Sequence, residues 1–439
     1  MSDVVRFRRA PEEDGERNTV GVQRARVVRW GPWAALFGAA FAVHIVWLLS
    51  GGVTVFRDTD SYFDLGIDAG DRLPVVPFVY TLLGNHQLIV VVQALALSVA
   101  WVTLALVVSR DVRAGWPRWT VAILTVIAGS TPGLATWSRR LISEPLSNAL
   151  LVLAFAASVQ LLRRPSQRSA GAVVVLFALW MACRPQNIVM MGVLLPALVL
   201  LLWCSRRQER DVRRAIALLI VIVVAAIPLG FRNAELQHAN LLQIIGTRVV
   251  TDPATFDWWR SEGMPAAAEE LAARAPNDLT LPPFDEELDQ WIRSEGRSTY
   301  LRFLASHPGQ WVRPLGRAIW PGTDGRSGDE IGPLLFQDNI DPRLAPVPRT
   351  VDAAVGLLLT AVVLAQLIDS RRSAGRWSPS ALLGAGTMIA GVVLVVPSWL
   401  GAGLEMERLA LTPAVLLRLG SLAVLAAWCT TRWPASAST

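Results

Sequence analysis

The sequence predicts an all-α, polytopic membrane protein of about ten transmembrane helices with a mostly helical external domain. Three observations carry that expectation. Apolar runs of about 20 residues, enough to cross a hydrocarbon core of about 30 Å as helices, recur along the chain. Charged residues make up only 17% of it, against about 25% in an ordinary soluble domain, while 53% is hydrophobic. The charge that is present gathers in short segments between the apolar runs.

Taken in order, residues 1–30 ("MSDVVRFRRAPEEDGERNTVGVQRARVVRW") are polar and basic and read as a disordered cytoplasmic N-terminus. The apolar run after them lacks a small-residue cleavage site, so it reads as an uncleaved anchor. Spans are expected at about 31–50, 87–109, 119–137, 145–162, 169–183, 186–204, 214–231, 351–368, 380–399 and 409–429. They group into an N-terminal module, 31–231, and a C-terminal module, 350–430, followed by a short tail, 431–439. Between the modules, 232–349 is hydrophilic and long enough for a small domain. Its helix-like pieces, such as "PAAAEELAARA", are separated by Pro, Asn and Gly.

All 41 basic residues are arginine, and the net charge is +6. They cluster in loops: 110–118, 163–168, 205–214 and 370–376 carry 3, 3, 5 and 3 of them. That asymmetry puts both termini in the cytoplasm of a plasma-membrane protein and 232–349 outside. It also argues against nucleic acid, which would want a continuous basic surface. Cys183, Cys204 and Cys429 lie in or beside spans, with no CxxC or metal spacing, and read as packing. The histidines His44, His86, His238 and His307 are scattered with no HExxH, so a zinc hydrolase is not expected.

The unusual polar residues fall on the side opposite the arginine-rich loops. "RDTDSY", "SRRLISEP", "CRPQN", "GFRN" and "GLEMER" all map there, which points to a single site at the outer interface. An isolated DxD is more often a solvated acidic loop. Here Asp58 and Asp60 lie in loop 51–86, and "LPVVPFVYTLLG" follows, an apolar Pro-broken stretch suited to the membrane interface. Glu144 sits in the first turn of its span, where the helix dipole favours an anion, with Ser143 placed to cap. Arg139, Arg140, Arg184 and Arg408 stand at outer span ends, against the positive-inside bias. An arginine there either snorkels to headgroups or joins others on a phosphate, which guanidinium suits through planar paired donors. Arg418 lies about nine residues inside the last expected span, either buried and paired or near an interface.

Carboxylates, arginines at headgroup depth and an external domain point to a reaction on a lipid phosphate. Sugar transfer from a polyprenyl-phosphate donor fits: phosphate leaves as an anion, and the acceptor hydroxyl needs one carboxylate base. A matched acid and base pair, as in a glycosidase, is not required.

These segments resemble the GT-C superfamily of membrane glycosyltransferases, which includes lipid-linked-sugar mannosyltransferases and arabinosyltransferases. The resemblance rests on "DTDSYFDLG" and "DRLPVVPFVYTLLG" as the acidic first external loop and its approach to the second span, with Ser143-Glu144-Pro145-Leu146 and Arg184-Pro185 further on. It covers about residues 30–200. It implies a GT-C-like fold with Asp60 as the base, Asp58 assisting it or binding a metal, and Glu144 positioning donor or acceptor. Arg139, Arg140, Arg184 and Arg408 would bind the donor phosphate. Which of Asp58 and Asp60 occupies the family position stays open. So does a divalent cation, magnesium or manganese, for which Asp58, Asp60 and Glu144 offer hard oxygen donors. The expected partners are a polyprenyl-phosphate-linked sugar, a glycan, lipid or protein acceptor, and membrane lipids. Trp258, Trp259, Trp291, Trp311 and Trp320 suit either sugar stacking or a core. Two rivals remain: a polymerase or ligase of the O-antigen type acting on polyprenyl-diphosphate glycans, and a lipid-carrier transporter, which would want polar residues at mid-membrane depth.

Overall fold

The computed structural model describes residues 15–55, 59–63, 73–204, 210–230, 234–273, 285–310, 378–401 and 406–433. Among these residues the structure is helical, and the only β pairing is a single bridge between Thr54 and Arg140. The membrane-type helices are α1 (Gly15–Gly51), α3 (His86–Ser109), α4 (Trp116–Gly129), α5 (Glu144–Arg163), α6 (Gln167–Met181), α7 (Pro185–Cys204) and α8 (Arg210–Gly230), with a short apolar helix α2 (Val75–Leu83) between the first two. Four short helices follow, α9 (Ala234–Ile244), α10 (Pro253–Ser261), α11 (Glu286–Trp291) and α12 (Arg297–Ser306), and then α13 (Pro379–Gly401) and α14 (Met406–Arg432).

Helices stand where nine of the ten spans were expected; the tenth, 351–368, lies outside the described residues. Only five are long and apolar enough to cross a membrane by themselves: Trp30–Gly51, His86–Ser109, Glu144–Arg163, Arg210–Leu229 and Leu411–Arg432. The count rises to six if Trp116–Gly129 and Gly133–Arg139, bent by 52°, cross as one. The expected ten is therefore not reached among the described residues. Length is the reason for α6, whose 15 residues reach about 22 Å against a core of about 30 Å.

The expected span 119–137 is broken rather than continuous. Pro132 has no N–H to give to a continuing helix, so α4 stops at Gly129 and single turns continue at Pro132–Ala135 and Thr136–Arg139. The break strands carbonyls, and a residue far along the chain answers one of them. Arg418 Nη1 donates to Ala128 O at 2.7 Å and to Thr131 Oγ1 at 2.6 Å. A cation at a helix C-terminus is also favoured by the dipole. Arg418 is thus buried and hydrogen-bonded inside the bundle.

The core centres on α5, which packs against α3 and α6 and also touches α13 and α14. Residues Leu151, Val152, Phe155 and Val159 supply its buried face. The tightest crossing is between α13 and α14. A Cβ on Gly384 would lie 2.6 Å from Gly420 O, and one on Gly420 would lie 2.5 Å from Gly384 O. Small residues let backbones approach in this way, and dispersion then substitutes for the hydrophobic drive that lipid removes.

The bundle has two distinct ends. At one, Arg163 donates to Val107 O at 2.6 Å and pairs with Asp111 at 3.4 Å, and Arg113 N–H reaches Trp433 O at 2.9 Å. Trp33 meets Trp119, and Trp433 meets both Trp116 and Trp428, an aromatic collar of the kind found at headgroup depth. This end gathers the arginine-rich loops 110–118 and 163–168. The opposite end carries the site.

The helices α9–α12 form a separate small core around Trp259, which is fully buried against Trp291, Tyr300 and Phe303. Of the tryptophans weighed for sugar stacking, Trp259 and Trp291 are thus core residues; Trp311 and Trp320 lie outside the described residues. Trp258 is half-buried, between Phe303 and His307.

Candidate functional site

The site is built on the segment from Thr136 to Glu144, which the broken helix delivers to the rim of the bundle. Arg140 leaves the last turn in extended conformation and Leu141 follows it, presenting bare carbonyls and amides to whatever lies beside them. The stretch after α1 pairs with it: Thr54 N–H donates to Arg139 O at 3.0 Å, and Leu141 N–H donates to Thr54 O at 3.0 Å. Thr59 Oγ1 then donates to Leu141 O at 3.0 Å and Tyr80 OH to Ile142 O at 2.8 Å. Gln93 of α3 donates its amide N–H to Tyr80 OH at 2.6 Å, which extends the same network from the next helix. Buried amides and carbonyls must find such partners. That requirement explains why Tyr80 and Gln93, polar interruptions in apolar stretches, are fully buried here.

The acidic loop is therefore tied to the same segment as Glu144. Asp60 opens a short turn, Asp60–Tyr62, and its side chain is exposed, whereas Thr59 before it and Tyr62 after it are buried. Tyr62 OH donates to Ser143 Oγ at 3.4 Å, and Ser143 Oγ donates to Glu144 Oε2 at 3.2 Å. Ser143 stands at the N-cap position but does not cap α5 through its side chain; its hydroxyl is turned to Glu144 instead. Glu144 Oε1 pairs with Arg184 Nη2 at 2.9 Å, both side chains being almost wholly buried. Asn187, one turn into α7, ties the helix starts together through Ser147 Oγ at 2.9 Å. Val75 N–H of α2 reaches Ala182 O at 3.3 Å, so five elements of different sequence position meet at this end.

The four arginines singled out from sequence have different fates. Arg184 is neutralised by Glu144. Arg140 is half-buried with its guanidinium 4.1 Å from the centre of the Trp137 ring, a cation–π contact. Arg139 is 7% exposed, has no acidic partner among the described residues, and leaves its Nε without a hydrogen-bond partner. It seats against the end of α1, where a Cβ on Gly51 would overlap Arg139 Nη1, so glycine makes the room. The side chain of Arg408, and all of Asp58, lie outside the described residues.

The 20 residues of α5 span about 30 Å, the thickness of a hydrocarbon layer, with Glu144 at one end of the helix and Arg163 at the other. Helix α2 edges the site. It buries Val76, Pro77 and Tyr80 and exposes Phe78 and Leu82 at 59% and 71%, side chains suited to lipid.

Among the described residues no three or more His, Cys, Asp or Glu cluster as a metal site. The Glu144 carboxylate, the third oxygen donor the sequence offered beside Asp58 and Asp60, is engaged by Arg184 and Ser143, and Asp58 lies outside the described residues. Sequence reasoning missed Tyr62, Tyr80, Gln93 and Asn187 as site-building residues. Their signal was a hydrogen-bonding side chain in or beside an apolar span, where it needs a partner. Compared with known proteins, the chain matches no protein-family profile and no curated sequence.

Proposed function

We propose that the chain is an integral membrane glycosyltransferase of the GT-C kind, which transfers a sugar from a polyprenyl-phosphate donor to an extracytoplasmic acceptor hydroxyl with inversion. The observation that carries this reading is Arg139: a buried cation without an acidic partner among the described residues, on the segment to which the Asp60 turn is bonded. A buried charge is costly unless compensated, and a lipid phosphate at the rim would compensate it.

In this mechanism the Asp60 carboxylate takes the proton of the acceptor hydroxyl. The acceptor oxygen bonds to the anomeric carbon as the bond from that carbon to the phosphate oxygen breaks. The electron pair leaves with the polyprenyl phosphate, whose developing charge Arg139 stabilises. Glu144 and Arg184 act one layer behind, fixing Ser143 and through it Tyr62, so that Asp60 is presented on a rigid turn. The proposal places the site at the extracytoplasmic leaflet of the plasma membrane with both termini in the cytoplasm; the arginine-rich loops 110–118 and 163–168, at the bundle end that also carries Trp33 and Trp433, support the second point.

The test uses membranes containing wild type or Asp60→Asn, a panel of polyprenyl-phosphate sugars and a crude glycan acceptor. Release of polyprenyl phosphate by wild type, lost in the variant, is the expected result. Equal release by both removes Asp60 as the base. Turnover of a polyprenyl-diphosphate glycan, indifferent to Asp60→Asn, would replace the reading with the ligase.

A further inference from the structure

Helix α1 is the least buried of the five membrane-length helices, and three of its described side chains are buried: Trp33, Ala40 and His44. At i, i+7 and i+11 they form one stripe, the line along which α1 meets the bundle. Trp33 and Ala40 pack into an apolar cluster with α3 and α4. His44 is different. It lies one stretch of seven residues, about 10 Å, below Gly51, where a polar ring needs a partner.

That partner is on the turn that carries Arg139. His44 Nδ1 lies 3.4 Å from Ser138 Oγ. Ser138 Oγ–H donates to Ala135 O at 2.7 Å, so it turns its lone pairs to the ring, and the proton on the longer contact belongs to His44 Nδ1. We propose that His44 is a positioning residue for Arg139, fixing the turn Thr136–Arg139 against α1 so that the guanidinium lies preformed at the rim; that its ligand is a lipid phosphate rests on the reading above.

Arg139 is held on both sides from the same part of the chain. Ser138, before it, is tied to His44, and the Arg139 carbonyl accepts from Thr54 N–H at 3.0 Å, just beyond α1. Between these two points its side chain lies across Gly51. An arginine free to choose at the end of a membrane helix snorkels out to water and headgroups. Two fixed points keep this one in, and a guanidinium already in place loses less freedom on binding an anion. The arrangement has a cost. With the proton on Nδ1, His44 Nε2 is a buried acceptor that has no hydrogen-bond partner among the described residues. Stability alone would favour an apolar residue here, and locally costly choices gather at functional sites.

Arginine modification tests this without any ligand. Purified full-length protein in micelles is treated with phenylglyoxal, and Arg139 is followed by peptide mass spectrometry. Asparagine places its amide N–H close to where histidine carries Nδ1, and glutamine close to Nε2, while glutamine matches the size of the ring better. Positioning through Nδ1 therefore predicts that His44→Asn reacts like wild type. His44→Gln should react about tenfold faster at Arg139, the equivalent of one hydrogen bond of about 1.4 kcal/mol. Ser138→Ala should do the same and abolish the difference between the two. A role in packing alone predicts the opposite order, with glutamine nearer to wild type; that order, or equal reactivity in all variants, would overturn the proposal. If His44→Gln does not fold, Ser138→Ala, which removes one hydroxyl, decides by itself. Affinity for a polyprenyl monophosphate, measured by displacement, keeps the two readings apart. It should fall about tenfold wherever Arg139 has become reactive. A reactive Arg139 with unchanged affinity would sink the phosphate reading and leave the positioning standing.

Discussion

Replacing Glu144 with glutamine strands a buried cation, and the cost can be worked from the structure. Arg184 Nη2 lies 2.9 Å from Glu144 Oε1, with side-chain exposures of 4% and 1%. At an effective dielectric of about 20 the gross attraction is about 6 kcal/mol, set against a desolvation penalty of several kcal/mol for each ion. The intact pair is therefore worth little net. Breaking it is another matter, because the survivor keeps its desolvation cost with nothing opposite: about 3–5 kcal/mol. Glu144→Gln and Arg184→Met should each lose that much.

The double variant decides whether the reasoning holds. With both charges gone no ion is stranded, so the loss should fall short of the sum of the singles by about 2 kcal/mol or more. Reversible unfolding of the purified proteins in mixed micelles, with denaturant as the variable, measures all three. Single variants within about 0.5 kcal/mol of wild type, with additive effects, would refute the account. If such stable variants had also lost polyprenyl-phosphate release, Glu144 and Arg184 would touch substrate themselves, as the family resemblance implies, rather than act from behind.

Three further outcomes are expected. Gly51→Ala places a methyl group where Arg139 Nη1 sits, so it should weaken polyprenyl-phosphate binding about tenfold in a displacement assay while far-UV dichroism stays unchanged. Arg418→Met leaves Ala128 O and Thr131 Oγ1 without their donor and should cost about 3 kcal/mol in the same unfolding measurement. Burial pushes the Tyr300 hydroxyl up to about 12, partly offset by Arg248, so its phenolate is disfavoured in the folded α9–α12 unit. The stability this contributes is present below the ordinary tyrosine value of about 10 and is lost as pH rises towards 12. Tyr300→Phe should remove that slope from a plot of unfolding free energy against pH.

What the sequence made legible was the one-dimensional part of the fold. Runs of about 20 apolar residues mark helices because a backbone in lipid must satisfy its own hydrogen bonds, and that signal is local. The break in α4 was also local, written in Gly129-Ser130-Thr131-Pro132, yet it was outweighed by the hydropathy of the surrounding residues. The partner that makes the break tolerable was not local at all: Arg418 is 290 residues from Ala128. Spacing along a chain gives no means of pairing the two.

The same distinction governs the site. Asp60, Glu144, Arg139 and Arg184 were all visible as polar residues on one side of the expected membrane, and their elements do meet through Thr59, Tyr62 and Ser143. Their roles were not separable, because four arginines at helix ends look alike in sequence. What divides them is the partner each one finds. Arg184 finds Glu144 40 residues earlier, Arg140 finds the face of Trp137, and Arg139 finds the end of α1 with no acid beside it among the described residues. An arginine whose charge is already answered inside the protein gains little from a phosphate; one whose charge is not has that interaction still to make. The buried counter-charge among the described residues, rather than the presence of the guanidinium, is therefore the quantity by which our proposal sets Arg139 ahead of Arg184 as the phosphate ligand.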